Sequence, residues 1–154
     1  SAEEMREAVL QHLPAATIVI KAAAVADYRP KQPDAAKIKS RQEALVLELA
    51  PNPDILKEVA ALRGAAFLVG FAAETSDVAA HAVAKLHDKG IDLLVANDVS
   101  RAGIGFDADE NEVLLVDRWG GSEHLSRRPK SAIAEAILDR VRALRDRERA
   151  AASR

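Results

Sequence analysis

Positive charge is concentrated in one short segment of the chain. Residues 29–41 carry five basic side chains against a single acid, Asp34, although the formal net charge of the whole chain is −2. Because lysine and arginine neutralise phosphate groups well, this segment is suited to contact a polyphosphate. Runs of charge are also common on solvated surface loops, and composition alone leaves that alternative open. The basic residues are Arg29, Lys31, Lys37, Lys39 and Arg41.

Other polar groups stand where a small-molecule site would need them. Asp27 follows an apolar run and could contact a ribose hydroxyl or a phosphate-bound metal, although a turn cap explains it equally well. Lys85 and Lys89 share one face of a predicted helix, where they could bind an anion or complement the helix dipole. Asn97 and Asp98 end another apolar run, where either a site or an ordinary turn would place them.

The sequence excludes several other chemistries. It contains no cysteine, which rules out disulfides, thiolate nucleophiles and cysteine metal sites and suits a reducing cytoplasm. Its four histidines lack zinc-protease spacing, and it has no glycine-rich phosphate motif or serine-nucleophile motif. Residues 106–111 resemble the start of a calcium loop, but Glu112 and Arg118 occupy the places of the required glycine and acid. Five aromatic residues and a charge of −2 argue against nucleic-acid binding.

The elements that position these groups follow an alternating pattern. The chain has 154 residues, which fits a single domain, and apolar periodicity predicts strands alternating with helices before a hairpin around residues 119–121. This alternation predicts an α/β fold, namely a three-layer αβα Rossmann-like architecture with a mostly parallel sheet and a C-terminal β-hairpin. The predicted helices are 1–13, 52–63, 76–89 and 129–147, and the predicted strands are 17–20, 44–49, 67–71, 92–96, 113–116 and 123–126.

Polar residues collect at three predicted strand ends, at 23–28, 71–75 and 97–100. The carboxyl ends of parallel strands meet at one edge of a sheet, and ligands of open α/β sheets bind in the crevice there. The sequence therefore predicts a site at this edge.

Five strings, taken in order, give the sequence a family resemblance. It resembles the phosphopantothenate–cysteine ligase (phosphopantothenoylcysteine synthetase) domain of bacterial bifunctional coenzyme A biosynthesis proteins. Each string is weak alone, but their shared order and spacing are specific. The strings are KAAAVADYR at 21–29, KIK at 37–39, NPDI at 52–55, VGFAAET at 69–75 and VANDVS at 95–100.

The resemblance implies a ligase reaction in two steps. The carboxylate of 4′-phosphopantothenate attacks the α-phosphate of CTP, giving an acyl-cytidylate and pyrophosphate, and the amine of cysteine then displaces CMP. Mg²⁺ accompanies the nucleotide, and Lys37 is implied as the catalytic lysine of a flap over the triphosphate. The family is cytoplasmic, forms homodimers and is often fused behind a decarboxylase that carries FMN. The CTP-site positions implied here are Lys21, Ala22, Ala23, Asp27, Lys37, Pro53, Asp54, Ile55, Leu56, Phe71, Lys85 and Lys89.

The resemblance also sets an expectation for domain organisation. Residues 1–147 would form a synthetase domain and residues 148–154 a disordered tail. The family's domain begins with a strand, a glycine-containing turn and an asparagine-rich segment. None of these precedes Ser1, so we expect a domain that is incomplete at its N-terminus. Two other interpretations stay open: a non-catalytic nucleotide-binding or dimerisation unit, and an NAD(P)-dependent reductase of similar topology, against which the missing glycine fingerprint counts.

Overall fold

Capping residues set the ends of the helices. The structure, a computed structural model, describes residues 1–32, 46–74, 76–98 and 108–153. The first helix begins with a capping box, in which the Ser1 hydroxyl accepts from the Glu4 N–H at 3.3 Å. Gly90 ends the third helix with a φ of +64°, which glycine adopts readily. Within these residues the α-helices are α1 (Ala2–His12), α2 (Ile55–Leu62), α3 (Val78–Lys89) and α4 (Lys130–Ala152).

The described residues form seven strands: β1 (Ile18–Lys21), β2 (Tyr28–Pro30), β3 (Leu49–Pro51), β4 (Phe67–Glu74), β5 (Leu93–Asp98), β6 (Glu110–Asp117) and β7 (Ser122–Pro129). Five of them build one sheet in the order β1-β4-β5-β6-β7, while β2 and β3 form a separate antiparallel ribbon. Strands β1, β4 and β5 pair in parallel, and the β6–β7 hairpin is antiparallel, so only β6 runs against the others. The predicted mostly parallel sheet with a C-terminal hairpin is confirmed.

Helices cover both faces of the sheet, which gives the three predicted layers. Successive side chains of β4 point to opposite faces, so Leu68 packs under α2 and α3 while Val69 packs under α4. Gly70 lies on the first of these faces. A Cβ there would come within 2.7 Å of Ile91 Cδ1 and 2.8 Å of Leu56 Cδ2. Glycine therefore lets these two side chains pack directly against the strand.

A buried aspartate ties the amino end of β5 to its neighbours. Asp92 is 2% exposed, and its carboxylate accepts from Arg63 Nη1 at 2.6 Å and from the Leu68 N–H at 2.7 Å. Arg118 Nη1 lies 2.7 Å from the other carboxylate oxygen. A buried charge is tolerated only when it is paired and hydrogen-bonded in this way.

A second aspartate closes the turn of the hairpin at the same end of the sheet. Asp117 is 3% exposed, and it accepts from Arg140 Nη2 at 2.7 Å and from the N–H groups of Trp119 and Gly121 at 2.9 and 3.0 Å. The arginine comes from α4, so this carboxylate joins the hairpin to the helix that covers the face of the sheet away from α2 and α3.

Two predicted boundaries in the middle of the chain are wrong. Helix α2 begins after Asp54 rather than after Asn52, because the Asp54 carboxylate accepts from the Lys57 N–H at 3.2 Å and so caps the helix. The strand predicted over 44–49 is β3, which begins only at Leu49 and pairs with β2 instead of joining the main sheet. Residues 44 and 45 lie outside the described part. Pro51 has no N–H for a ladder, which suits the short ribbon.

The C-terminal helix is longer than the sequence predicts. Disorder was expected from residue 148, but α4 continues to Ala152, and Arg118 Nη2 donates to Glu148 at 2.6 Å. Alanine, arginine and glutamate are strong helix formers, which favours this extension. Among the described residues, no helix is both long and apolar enough to cross a membrane.

Candidate functional site

A cleft of about 290 Å³ opens at the carboxyl ends of β1 and β4. The loop after β1, the start of α2 and the last turns of α3 form its walls, so segments distant in sequence meet at the predicted edge. The lining residues are Lys21, Val25, Ala26, Asp27, Asn52, Pro53, Asp54, Ile55, Leu56, Phe71, Ala72, Lys85, Lys89 and Leu94.

Three lysines and two aspartates line this cleft, which leaves one net positive charge. Lys21 Nζ donates to the Ala23 carbonyl at 3.0 Å. Burial lowers the pKa of the Lys21 ammonium; the Asp54 carboxylate opposes this shift, and the Lys89 charge adds to it. A bound anion would favour the charged form of Lys21. The net positive charge of the cleft therefore favours a negatively charged ligand.

Asp54 joins α2 to α3 at the mouth of the cleft. Its carboxylate caps α2 and accepts a hydrogen bond from the Lys89 ammonium. Burial raises the pKa of Asp54, but the hydrogen bonds from Lys89 and the Lys57 N–H outweigh burial and hold it below its usual value. Lys57 Nζ in turn donates to Asp88 at 2.8 Å. These alternating charges fix the relative position of the two helix ends.

Glu74 is a buried acid beside the cleft that the sequence analysis did not select. It ends β4 and is 8% exposed. Lys85 Nζ lies 2.6 Å from Oε1, and His81 Nδ1 lies 3.4 Å from Oε2. The polar strand end predicted at 71–75 includes Glu74, but its pairing depends on how α3 lies over the sheet.

Asn52 begins one of the family strings, although it is not among the implied CTP-site positions, and it holds two walls of the cleft together. Its Nδ2 donates to the Ala26 carbonyl at 2.7 Å, and its own N–H donates to the Asp27 carbonyl at 2.7 Å. Its Oδ1 accepts from Arg29 Nη1 at 3.0 Å. The loop after β1 is therefore bonded to the residues that lead into α2.

Most of the site residues that the sequence predicts line this cleft. Nine of the twelve implied CTP-site positions line the cleft: Lys21, Asp27, Pro53, Asp54, Ile55, Leu56, Phe71, Lys85 and Lys89. Ala22 and Ala23 instead line a neighbouring pocket between α1, β1 and α2, which shares Lys21, Ile55 and Leu56 with the cleft. Lys37 lies outside the described residues.

Phe71 reaches the cleft only at its lip. The alternation along β4 places its side chain with Phe67 and Val69, and it packs against the cluster under α4. The opposite face of the strand presents Gly70 and Ala72 to the α2–α3 layer. Small residues thus leave room for the cleft, while the aromatic ring of Phe71 packs on the α4 face of the strand.

Asp27 offers one carboxylate that could share a Mg²⁺ ion with the phosphates of a ligand. No group of three or more histidine, aspartate or glutamate side chains gathers anywhere in the described ranges, so those ranges offer no all-protein metal cage. Mg²⁺ is commonly held by one or two carboxylates together with substrate phosphates. Asp27 lines the cleft, and no partner for its carboxylate is present among the described residues.

The end of β5 carries the remaining predicted polar pair. Asn97 Oδ1 accepts from Asn111 Nδ2 at 3.3 Å, which ties the strand end to β6. The backbone of Asp98 pairs with that of Glu74 across β4 and β5. Among the described side chains that line the cleft, that of Asn97 is not included.

Comparison with known proteins gives a consistent set of relatives. The family model of the DNA/pantothenate metabolism flavoprotein C-terminal domain matches residues 1–144. The coenzyme A biosynthesis bifunctional protein CoaBC of Bacillus subtilis (strain 168) is 44% identical over 144 residues, which are 94% of this chain and 36% of that protein. Its namesake in Vibrio cholerae is 43% identical over 139 residues, covering 88% and 34%. The chain thus spans roughly a third of these relatives.

A solved structure shows the same fold. The crystal structure of the C-terminal domain of a CoaBC protein is 36% identical and superposes with a TM-score of 0.74. The match covers 95% of this chain and 64% of that one.

Proposed function

The chain belongs to the DNA/pantothenate metabolism flavoprotein C-terminal domain family, and we propose that it carries the CTP-binding part of a phosphopantothenate–cysteine ligase in coenzyme A biosynthesis. The observation that carries this proposal is the cleft, where three lysines from β1 and α3 face an apolar wall at the start of α2. Its relatives are named for coenzyme A biosynthesis.

The proposed reaction transfers an acyl group in two balanced steps. A carboxylate oxygen of 4′-phosphopantothenate bonds to the α-phosphorus of CTP, and the bond to the bridging oxygen breaks, so pyrophosphate leaves with the electron pair. The amine of cysteine then attacks the acyl carbon, CMP leaves, and the amine loses a proton. Neither step needs a protein nucleophile, so positioning and charge neutralisation can supply the catalysis.

The cleft residues are suited to those tasks. We assign Lys21, Lys85 and Lys89 to the triphosphate, because ammonium groups are compact charges that can follow phosphates as they move. Ile55 and Leu56 are buried at the start of α2 and offer an apolar surface for the base. Asp27 can accept from a ribose hydroxyl or hold Mg²⁺, which would neutralise the departing pyrophosphate.

Several parts of the proposal rest on the family alone. Lys37 is proposed as the flap lysine that meets the triphosphate. The homodimer, the cytoplasmic location and an upstream decarboxylase with FMN are proposed on the same basis.

Nucleotide titration tests the proposal directly. In the full-length protein, calorimetry should show binding of CTP in preference to ATP and NADPH, and Lys85→Gln should weaken CTP binding. The matched control is Arg142→Gln, which removes one positive charge from the outer face of α4, where the Arg142 side chain is 75% exposed. Preferential binding of NADPH would favour the reductase interpretation. CTP binding without amide formation by the full-length protein would favour a non-catalytic unit.

A further inference from the structure

Glu74 occupies an unusual place for an acid beside an anion-binding cleft. Its side chain is 10% exposed, and it sits at the end of β4, on the face that α3 covers. Its Oε1 atom is buried and makes no aligned hydrogen bond, although Lys85 Nζ lies only 2.6 Å away. The two groups therefore form a close ion pair. His81 Nδ1, at 3.4 Å from Oε2, is the other titratable group that faces this carboxylate among the described residues.

Lys85 both lines the cleft and contacts the buried Glu74 carboxylate. Its side chain is 47% exposed and lines the cleft, while its ammonium rests against the buried carboxylate. Glu74 itself does not line the cleft. A ligand can therefore draw the lysine toward its phosphates, while the carboxylate stays outside the lining of the cleft.

We propose that Glu74 is a specificity-determining residue, an internal counter-ion that competes with ligand phosphates for Lys85 and keeps polyphosphate binding weak enough for pyrophosphate to leave. The proposal rests on the assignment of the cleft to CTP. No bond is made or broken at Glu74. It acts only by offsetting part of the Lys85 charge.

The charge of the ligand sets the size of the effect. Because Glu74 offsets part of the Lys85 charge, it weakens the attraction between Lys85 and each negative charge on a ligand, so it weakens tripolyphosphate or CTP binding more than CMP binding. A carboxylate that merely positioned Lys85 would have the opposite effect, because its removal would cost affinity. The sign of the change in Glu74→Gln therefore separates the two roles.

The experiment measures the binding of inorganic tripolyphosphate, CTP and CMP to the full-length protein at one pH and ionic strength. Glu74→Gln keeps the shape of the side chain and removes its charge. We expect it to bind tripolyphosphate and CTP about tenfold more tightly, as one partly screened charge would give, with a smaller gain for CMP. Steady-state turnover should show stronger inhibition by pyrophosphate. The control is Glu135→Gln, an exposed acid on α4 at the opposite face of the sheet, which should change nothing.

A double-variant cycle shows whether the effect passes through Lys85. In a Lys85→Gln background, Glu74→Gln should give no further gain in polyphosphate affinity. Unchanged or weaker polyphosphate binding by Glu74→Gln, or a gain that persists without Lys85, overturns the proposal. If Glu74→Gln does not fold, Glu74→Asp keeps the charge but withdraws it by one methylene, and a smaller gain is expected; no gain overturns the proposal equally.

The inorganic probe keeps this test separate from the proposed function. Wild-type protein that binds tripolyphosphate but shows no preference for CTP contradicts the nucleotide assignment, while the variants still report on Glu74. Normal CTP binding with no gain in the variants contradicts only the role of Glu74.

Discussion

The two ends of the sheet use opposite kinds of charge pairing. At the start of β5 and the end of β6, two aspartates that are 2% and 3% exposed face arginines. At the cleft end, lysines pair with Asp54 and Glu74, and the lysine side chains are 30% to 47% exposed. Guanidinium groups bind carboxylates through a rigid fork, whereas an ammonium on a long stem can change partners. One end is held by buried ion pairs, and at the other end the proposed function has the lysines exchange their internal partners for a ligand.

The largest expected effect comes from breaking the closed end. Asp92→Ala leaves Arg63 and Arg118 without their shared carboxylate, and we expect the free energy of unfolding to fall by about 3–5 kcal/mol. Urea denaturation measures the loss. The control is Asp139→Ala, whose carboxylate is 71% exposed beside Arg142 and should contribute less than about 1 kcal/mol. A loss no larger than that of the control would show that the buried pairs at the Asp92 end do not contribute more stability than an exposed pair.

Activity, rather than stability, should depend on the basic segment at residues 29–41. Lys37→Gln is expected to slow pyrophosphate release by roughly a hundredfold to a thousandfold, the size of losing one charge-assisted contact in a transition state, about 2.7–4 kcal/mol. The melting temperature should stay within a degree or so of wild type, because Lys37 is proposed to act on the bound triphosphate and not through packing. Pyrophosphate release at the wild-type rate would remove Lys37 from the mechanism.

Gly70→Ala tests whether the two ends can be disturbed separately. The added methyl would press on Leu56, which lines the cleft, and on Ile91, which leads into β5. Overpacking of this kind costs about 1–3 kcal/mol. We therefore expect lower stability in urea together with weaker CTP binding. Loss of stability with unchanged CTP affinity would mean that the cleft does not depend on this packing.

The smallest expected effect concerns how the free energy of unfolding changes at acidic pH. The pKa of Asp54 is lowered in the fold, so its ionised form contributes stability above its unfolded pKa, near 3.8, which is lost as pH falls through the lower folded value. Asp54→Ser keeps a helix cap but removes this charge. Because the carboxylate is 41% exposed, we expect a loss of only about 0.5 kcal/mol at pH 7. The difference from wild type should shrink as the pH falls below 4; a constant difference would contradict the assignment.

Local patterns predicted most elements, and the failures have physical causes. The capping box at Ser1, the stop at Gly90 and the apolar runs of β4 and β5 depend on neighbouring residues, so the sequence alone reveals them. The N-cap at Asp54 was placed two residues early because Asn52 has equally good capping chemistry. In the structure Asn52 instead bonds to the loop after β1, a contact between distant segments.

Some features of the site could likewise be predicted from the sequence, and others could not. The family resemblance located most of the cleft, since it compares whole strings with a domain of known chemistry. It did not indicate the orientation of Phe71, which follows from strand alternation once Phe67 and Val69 are placed on the α4 face. Glu74 escaped because its partners come from a helix that follows it, and only packing brings them within 2.6 and 3.4 Å.

The register of β1 also bears on the order in which the molecule assembles. Ile18 pairs with Phe67, forty-nine positions away, whereas Val116 and Ser122 in the hairpin are only six apart. Closing the longer loop costs more chain entropy, so the hairpin and α4 should form early and β1 should dock late. The last segment to join is commonly among the first to detach, and hydrogen exchange should find the β1 amides opening without global unfolding. Lys21 would then be carried on the least stable strand, so an anion that bridges it to α3 would slow that exchange as well as fill the cleft.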